Sequence, residues 1–388
     1  MRTAATLLLP LGLLAAGAAA RAETAAGYTA ATGRSSNLFE DTAAIAGSYA
    51  EAEFFLRGAL EREAHGFTYR IAHAEKRMGG HDFADEHRST LSLGYVFKPS
   101  AALSLAIEAE ASRIDGGDLL ASIGDLDIGY RQRDVDLGLG GKLSAAMLSG
   151  VGNLTVKVTR EDKGTAYFEE KAILPARLEA DVNTVEIALD HVRPAFGGKA
   201  GLDLRYRASL VSAADQLAFS RFPAETLRGA LTYEREFAGR LSLRGEAGMV
   251  AISSDELGAN VDRLRPYLHA GAEWKAHERL GLGASYTHDM EVADLDDALA
   301  EYIRTLSLAA KFTLTDRTTL KLAYEVAASE WLYYLYSTRT GTVRGTLSYA
   351  VTDDLTLDLQ YRHLKRRESD PGENFTVDEI SARVGGSF

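Results

Sequence analysis

The chain has 388 residues, no cysteine, a formal charge of −12 and 46% hydrophobic residues. The acidic balance excludes a nucleic-acid partner, since no basic stripe offsets the repulsion of phosphate backbones, and the missing cysteine excludes a disulfide framework and thiolate metal sites. Nothing after the N-terminus approaches the roughly 20 apolar residues of a transmembrane helix, so a membrane crossing would have to be made by strands.

The chain opens with a positive charge at Arg2, an apolar stretch from Leu7 to Leu14 and a small-residue tract ending in Ala20-Arg21-Ala22. These are the three parts of a secretory signal with cleavage before Glu23. The expected organisation is a cleaved signal peptide over 1–22 and a single barrel domain over 23–388. Beyond the signal the pattern has period two, as strands require, because successive residues point to opposite faces of a sheet. In 101–113, Leu103, Leu105, Ile107, Ala109 and Ala111 fall on one face, with Ser104, Ala106, Glu108, Glu110 and Ser112 on the other. Leu202, Leu204, Tyr206, Ala208 and Leu210 alternate likewise with Asp203, Arg205, Arg207 and Ser209, as do Leu355, Leu357, Leu359 and Tyr361 with Thr356, Asp358, Gln360 and Arg362.

Such segments number about eighteen, with sixteen as the alternative count: 24–34, 49–63, 67–77, 88–98, 101–113, 128–144, 153–161, 184–193, 200–211, 224–236, 241–251, 263–275, 280–290, 302–313, 318–330, 338–351, 355–366 and 376–388. Connections near 99–100, 238–239, 276–279, 315–316 and 352–354 are short, whereas those near 79–87, 115–125, 161–183, 213–223, 252–262, 291–301 and 368–374 are longer and more polar. Outer-membrane barrels pair short periplasmic turns with long extracellular loops. The expected fold is therefore an all-β transmembrane antiparallel up-and-down barrel with both termini periplasmic.

Phe97, Phe237, Trp274, Phe312 and Tyr349 each stand beside a short turn, and an x-Leu-x-Leu strand opening follows roughly every 35 to 40 residues. Aromatic residues at that level form an interfacial girdle. Phe388 ends the alternating run Ile380, Ala382, Val384, Gly386 and has the character of the C-terminal signal read by the barrel assembly machinery. A repeat near this length also occurs in β-propellers, but their blades hold four short strands where each unit here holds two long ones.

If the apolar face meets lipid, the other face lines the interior. Its basic members are Arg57, Arg70, Lys157, Arg205, Arg207, Arg228, Arg244, Lys321, Arg344, Arg362 and Arg383, and its acidic members include Glu108, Glu110, Asp203, Glu234, Glu246, Glu273, Glu325 and Asp358. A dry interior cannot hold so many ions unless nearly all are paired. A water-filled lumen is the simpler expectation, and eighteen strands leave room for one. The acidic excess predicts a weak preference for cations. The longest connection carries Asp162, Lys163, Glu169, Glu170, Lys171 and Arg177 and is long enough to fold inward as a constriction. The acidic connection with Glu291, Asp294, Asp296, Asp297 and Glu301 lacks the glycine and distal Glu of an EF-hand loop, so it reads as solvated, and no metal or cofactor is expected.

His288-Asp289 and His81-Asp82 are the only neighbours with an enzymatic look. Neither comes with a nucleophile and an orienting partner. No catalytic residues are assigned, and an enzyme is not expected.

The segments Gly27-Tyr28 and Arg34-Ser35-Ser36-Asn37-Leu38-Phe39, the hairpin repeats and the terminal Phe388 make the chain resemble outer-membrane porin-type proteins, most specifically the β-barrel porin 2 family. It shows no plug of the size found in TonB-dependent receptors, no passenger domain and no helical repeat region. The resemblance implies a Gram-negative outer membrane, with lipid, lipopolysaccharide and the assembly machinery as partners. The leading expectation is a porin-like channel for passive passage of small hydrophilic solutes. The alternatives are a polysaccharide export conduit with periplasmic export partners, for which the aromatic cluster Trp331, Tyr333, Tyr334 and Tyr336 is the one supporting feature, and a closed structural or adhesive barrel.

Overall fold

The computed structural model describes residues 21–123, 126–254, 263–292, 299–332 and 336–388. The expected signal over 1–22 falls, except for Arg21 and Ala22, outside the described residues. The strands are β1 (Arg21–Ser35), β2 (Gly47–Arg62), β3 (His65–Met78), β4 (Glu86–Ser100), β5 (Leu103–Ile123), β6 (Leu126–Met147), β7 (Gly150–Asp162), β8 (Thr165–Phe168), β9 (Ala176–Arg177), β10 (Val182–Ala195), β11 (Gly198–Val211), β12 (Ala224–Phe237), β13 (Leu241–Ser253), β14 (Leu264–His277), β15 (Leu280–Val292), β16 (Ala300–Thr315), β17 (Thr318–Leu332), β18 (Tyr336–Ala350), β19 (Leu355–Glu368) and β20 (Phe375–Ser387). One helix, α1, spans Ala213–Phe219. No helix among the described residues is long and apolar enough to cross a membrane.

Leaving aside the short strands β8 and β9, each strand pairs antiparallel with the next in sequence, and β7 pairs directly with β10. The meander closes where β1 pairs with β20, from Gly27 opposite Ser387 to Ser35 opposite Glu379. The result is a closed barrel of eighteen strands, so no edge is left with unpaired N–H and C=O groups. The last residue completes the seam: the Phe388 N–H donates to the Ala26 carbonyl at 2.8 Å, and the Ala26 N–H returns a bond to the Phe388 carbonyl at 3.0 Å.

Each segment expected from alternation is a strand. The connections divide as expected too, and the start of β1 and Phe388 lie at the end with short turns. Leu148 and Ser149 join β6 to β7 with φ of 49° and 58°, and Phe196 and Gly197 join β10 to β11 with φ of 51° and 73°. Two successive positive φ values make a turn whose twist matches that of the flanking strands. At the other end, one connection differs from its expectation. Residues 115–125 read as a loop because Asp115, Gly116, Gly117 and Asp118 interrupt the apolar pattern, yet β5 and β6 stay paired up to Ile123 opposite Leu126, with one register shift between Leu119 and Ala121. The hairpin rises above its neighbours because it has other partners there: β8 pairs with β6 at Tyr130 and Arg131, and Phe83 packs onto it.

Outward-facing residues sort by height. Ile71, Leu137, Leu139, Val158, Leu204, Leu306 and Leu359 are apolar and exposed, as lipid contact requires. Toward the loops the same face turns charged. Arg77 lies beside Glu75, Arg113 and Arg133 hold Asp115 at 2.9 and 3.1 Å, Arg160 holds Asp162 at 2.6 Å, and Asp378 receives Tyr361 at 2.7 Å with His363 at 2.8 Å. This belt of ion pairs marks the upper edge of the apolar band.

Candidate solute pathway

Residues opposite one another in a sheet share a face, so the register alone carries a lumen residue around the barrel. Arg57 faces Arg70, Arg70 faces Ser92, Ser92 faces Glu110 and Glu110 faces Gly138. Gly140 leads to Lys157, then Glu186, then Arg207. Arg205 leads to Arg228, Glu234 to Arg244, and Glu246 to His269. Glu273 pairs with Gly283, Ser285 with Ser307, and Ser307 with Glu325. Lys321 shares the face of Ala323, whose partner is Arg344; Arg344 faces Arg362, Ser348 faces Asp358, and Asp358 faces Arg383. Arg383 pairs with Ala31 and Ala31 with Glu51, which shares the face of Arg57. The walk closes on itself, and every residue expected at the lumen, Asp203 included, lies on this one face.

In the part of the lumen bounded by β1 to β7, Arg57, Arg70, Glu108, Glu110 and Lys157 line an open cavity of about 850 Å³. Arg70 is paired with Glu53, while among the described residues Arg57, Lys157, Glu108 and Glu110 make no ion pair. Charges of both signs thus face the same water-accessible space.

The loop end is narrowed from two sides, by segments that alternation could not identify. On one side the first long connection turns inward, and the second packs against it. Asn37 is buried, with its Nδ2 donating to the Asp41 carbonyl at 2.6 Å, and Glu40 reaches across to Arg362. Arg362 also holds Glu379 at 2.9 Å, and Glu379 receives the Tyr49 hydroxyl. Phe39 stacks on Phe83 at 5.7 Å and meets His81 edge-on at 5.4 Å. Phe83 in turn sits on Gly129, where an added Cβ would come within 2.2 Å of the ring. Glycine at this position provides the seat.

On the other side, β15 parts from β14 toward its loop end. The pairing of β14 with β15 stops at Leu268 opposite His288, although β15 continues in register with β16 up to Val292 opposite Ala300. Freed from β14, the end of β15 approaches β11, β12 and β13, which are not its neighbours in the sheet. Three strand spacings amount to about 14 Å along the wall, so these contacts require the hairpin to cross the inside. Met290, Val292, Leu299, Ala300, Tyr302 and Leu332 pack against Ala224, Val250 and Ile252 of the inner wall in a dry cluster.

Charges fix the same docking. Arg228 donates to Asp289 at 2.6 Å and to Asp203 at 3.0 Å, with its guanidinium 4.2 Å from the centre of the Tyr267 ring. The Tyr267 hydroxyl donates to Glu246 at 2.6 Å, Arg244 holds Glu246 at 2.6 Å, and Arg207 holds Glu291 at 3.0 Å. Arg228–Asp289 and Arg207–Glu291 join β15 to the wall, and the bonds to Glu246 brace the wall beside them.

The segment expected as a constriction contacts the wall above the barrel. Its strand β8 pairs with β6, and its Arg177 pairs with Asp181 at 2.9 Å and with Asp215 of α1 at 2.8 Å. Lys163 lies 3.1 Å from Glu179 and 3.6 Å from Asp134. Burial lowers the ammonium pKa, but Glu179 and Asp134 outweigh it and hold it above the ordinary lysine value. Asp162 faces outward with Arg160, and Glu169, Glu170 and Lys171 are exposed.

Of the acidic connection, Asp294, Asp296 and Asp297 lie outside the described residues, as do Tyr333 and Tyr334 of the aromatic cluster; Trp331 is buried against Tyr336 at 5.0 Å. Asp289 points to Arg228 while His288 turns to Tyr302 at 4.4 Å, so the two do not form a dyad. Phe97, Phe237, Trp274, Phe312, Tyr349 and Phe388 all stand at the short-turn end.

These features define the class: a closed antiparallel β-barrel of the outer-membrane type, with a polar lumen and an apolar outer wall. No protein-family model matches the chain, so the resemblance to the β-barrel porin 2 family gains no support from one. No curated protein matches it either. Among solved structures it is similar to the copper transporter OprC, with 12% identity, TM-score 0.56, and coverage of 95% of this chain and 80% of that one. It is also similar to the siderophore receptors PirA of Acinetobacter baumannii (8%, TM-score 0.54) and PirA of Pseudomonas aeruginosa (11%, TM-score 0.51), each covering 94% of this chain and 80% of the other. At such identity the likeness is one of fold.

Proposed function

We propose that this chain is an outer-membrane transport barrel through which small hydrophilic solutes pass by diffusion, with its short turns and both termini in the periplasm. The observation that carries the reading is the charged face of the wall between β1 and β7, where Arg57, Lys157, Glu108 and Glu110 border an open cavity and make no ion pair among the described residues. Unpaired charges are stable there only if water solvates them. Ions of both signs around one passage act on passing solutes through a field that low-dielectric walls concentrate.

A second reading is favoured by one observation. The β15–β16 tip is docked by a dry cluster and by buried charges, as a selective entry requires and an always-open pore does not. Structures described as a siderophore receptor and as a copper transporter share the fold. In that reading the barrel takes up a specific solute after the tip moves.

The refolded barrel in a planar bilayer, recorded under a salt gradient, separates the two. Discrete, long-lived open levels with a mild cation preference are expected for the diffusion channel. A silent barrel would overturn it and leave the selective entry.

A further inference from the structure

We propose a binding site for a transition-metal ion such as Zn²⁺ on the outer face of the barrel, formed by His73, Glu75 and His87 at the upper edge of the apolar band. His73 and Glu75 are two residues apart on β3 and so share its outer face, and His87 of β4 stands directly opposite Glu75 in the register. This face carries Ile71 and Leu91 on the membrane side and the charged belt above, so the three side chains sit where lipid gives way to water.

The donor atoms converge. His73 Nε2 is 3.7 Å from Glu75 Oε1, His87 Nδ1 is 3.6 Å from the same oxygen, and one ligand atom from each of the three residues lies within 4.8 Å of the other two. Zinc bound at about 2.0–2.1 Å to such ligands in a tetrahedron sets them about 3.3 Å apart. Small side-chain rotations on a rigid, fully paired pair of strands close that difference. Two imidazoles and a carboxylate suit zinc, copper or nickel far better than calcium or magnesium, and three protein donors leave a coordination position for water.

The atoms that do not face the ion are held as well. His73 Nδ1 is 3.0 Å from Ser89 Oγ, so with the proton on Nδ1 the ring donates to serine and turns the lone pair of Nε2 toward the site. Arg77 reaches Glu75 Oε2 at 3.5 Å, leaving Oε1 for the ion. A plain ladder of ion pairs accounts for Arg77 and Glu75 but not for two imidazoles turned toward one carboxylate oxygen.

The test uses tag-free protein refolded in detergent, titrated with Zn²⁺ by calorimetry and with Co²⁺ by visible absorption. One saturable ion per chain is expected, with the absorption bands of a low-coordinate cobalt site. His73→Gln and His87→Gln should each weaken binding at least tenfold, the double variant should abolish it, and His277→Gln, at the opposite end of the barrel, should leave it unchanged. Should a histidine variant fail to reach the heat-modifiable barrel form, Glu75→Gln provides the same readout. Absence of saturable binding, or binding that survives in the double variant, overturns the proposal.

Discussion

Leu306 and Tyr302 lie on the same outward face of β16, four residues apart, yet Leu306 is 41% exposed and Tyr302 only 5%. The first belongs to the half of the barrel near the short turns, where each strand has lipid on one side and water on the other. The second belongs to the loop half, where β15 has parted from β14 and Tyr302 is enclosed in the buried cluster with Val250 and Ile252, the Arg265 guanidinium 5.0 Å from its ring. Alternation reports which residues share a face. It does not report which medium covers that face, and the same apolar code serves for lipid and for a protein core.

If that distinction is physical, ion pairs in the two halves should differ in strength. Asp289 and Arg228 have side chains only 10% exposed, and removing one partner from a buried pair leaves a charge uncompensated, at about 3–5 kcal/mol. Asp289→Ala should cost close to the lower figure, since Asp203 still holds Arg228, and should also free the β15–β16 tip and raise single-channel conductance. Glu53 and Arg70, with side chains 27% and 43% exposed, are a pair open to water, and Glu53→Gln should cost no more than about 1 kcal/mol. Urea unfolding of the refolded barrels measures both. Equal losses would mean that the two halves are not different environments.

The lipid and lumen faces supply the next contrast, of about 2–4 kcal/mol for a basic residue facing the membrane interior. Leu139→Arg on the outer face of β6 should destabilise the barrel by about that amount. Gly140→Arg, one residue along, points into the lumen, where an added Cβ meets nothing nearer than the Val156 carbonyl at 3.9 Å. It should cost less than about 1 kcal/mol, as substitutions in open solvent do. A reversed order would mean that the face assignment is inverted.

Much of this was legible in the sequence. The strand count, the register face of each lumen charge from Arg57 to Arg383 and the division into short and long connections follow from period two alone. The inward segments were not legible, because folding onto a wall is a tertiary event. Met290 and Val292 have the spacing of lipid-facing residues, and the seat for Phe83 depends on Gly129, a residue 46 positions away that reads locally as a loop glycine. The extension of β5 and β6 was hidden for the same reason. Its pairing is sustained by β8 and Phe83, not by an apolar stripe of its own.

The smallest effect tests whether the connection from β3 to β4 is held by charge as well as by packing. Asp85, at the end of the connection from β3 to β4, accepts from the Met78 N–H at 2.8 Å and from Arg77 at 2.8 Å, with its side chain 7% exposed. Burial by itself raises a carboxyl pKa, but the Met78 N–H and the Arg77 guanidinium outweigh it and hold this one below its ordinary value. The unfolded segment therefore binds its proton at a higher pH than the folded one. The contribution of Asp85 is complete above the ordinary carboxylate value, about 3.9, and is lost as pH falls through the depressed folded value. Hydrogen exchange across 78–86 should quicken over that window beyond its intrinsic pH dependence, and Asp85→Asn should remove the extra dependence. Phe83 stays seated on Gly129 at any pH, so protonation should loosen the segment around Asp85 without releasing the loop; release of the whole loop would mean that charge, and not the aromatic seat, holds it in place.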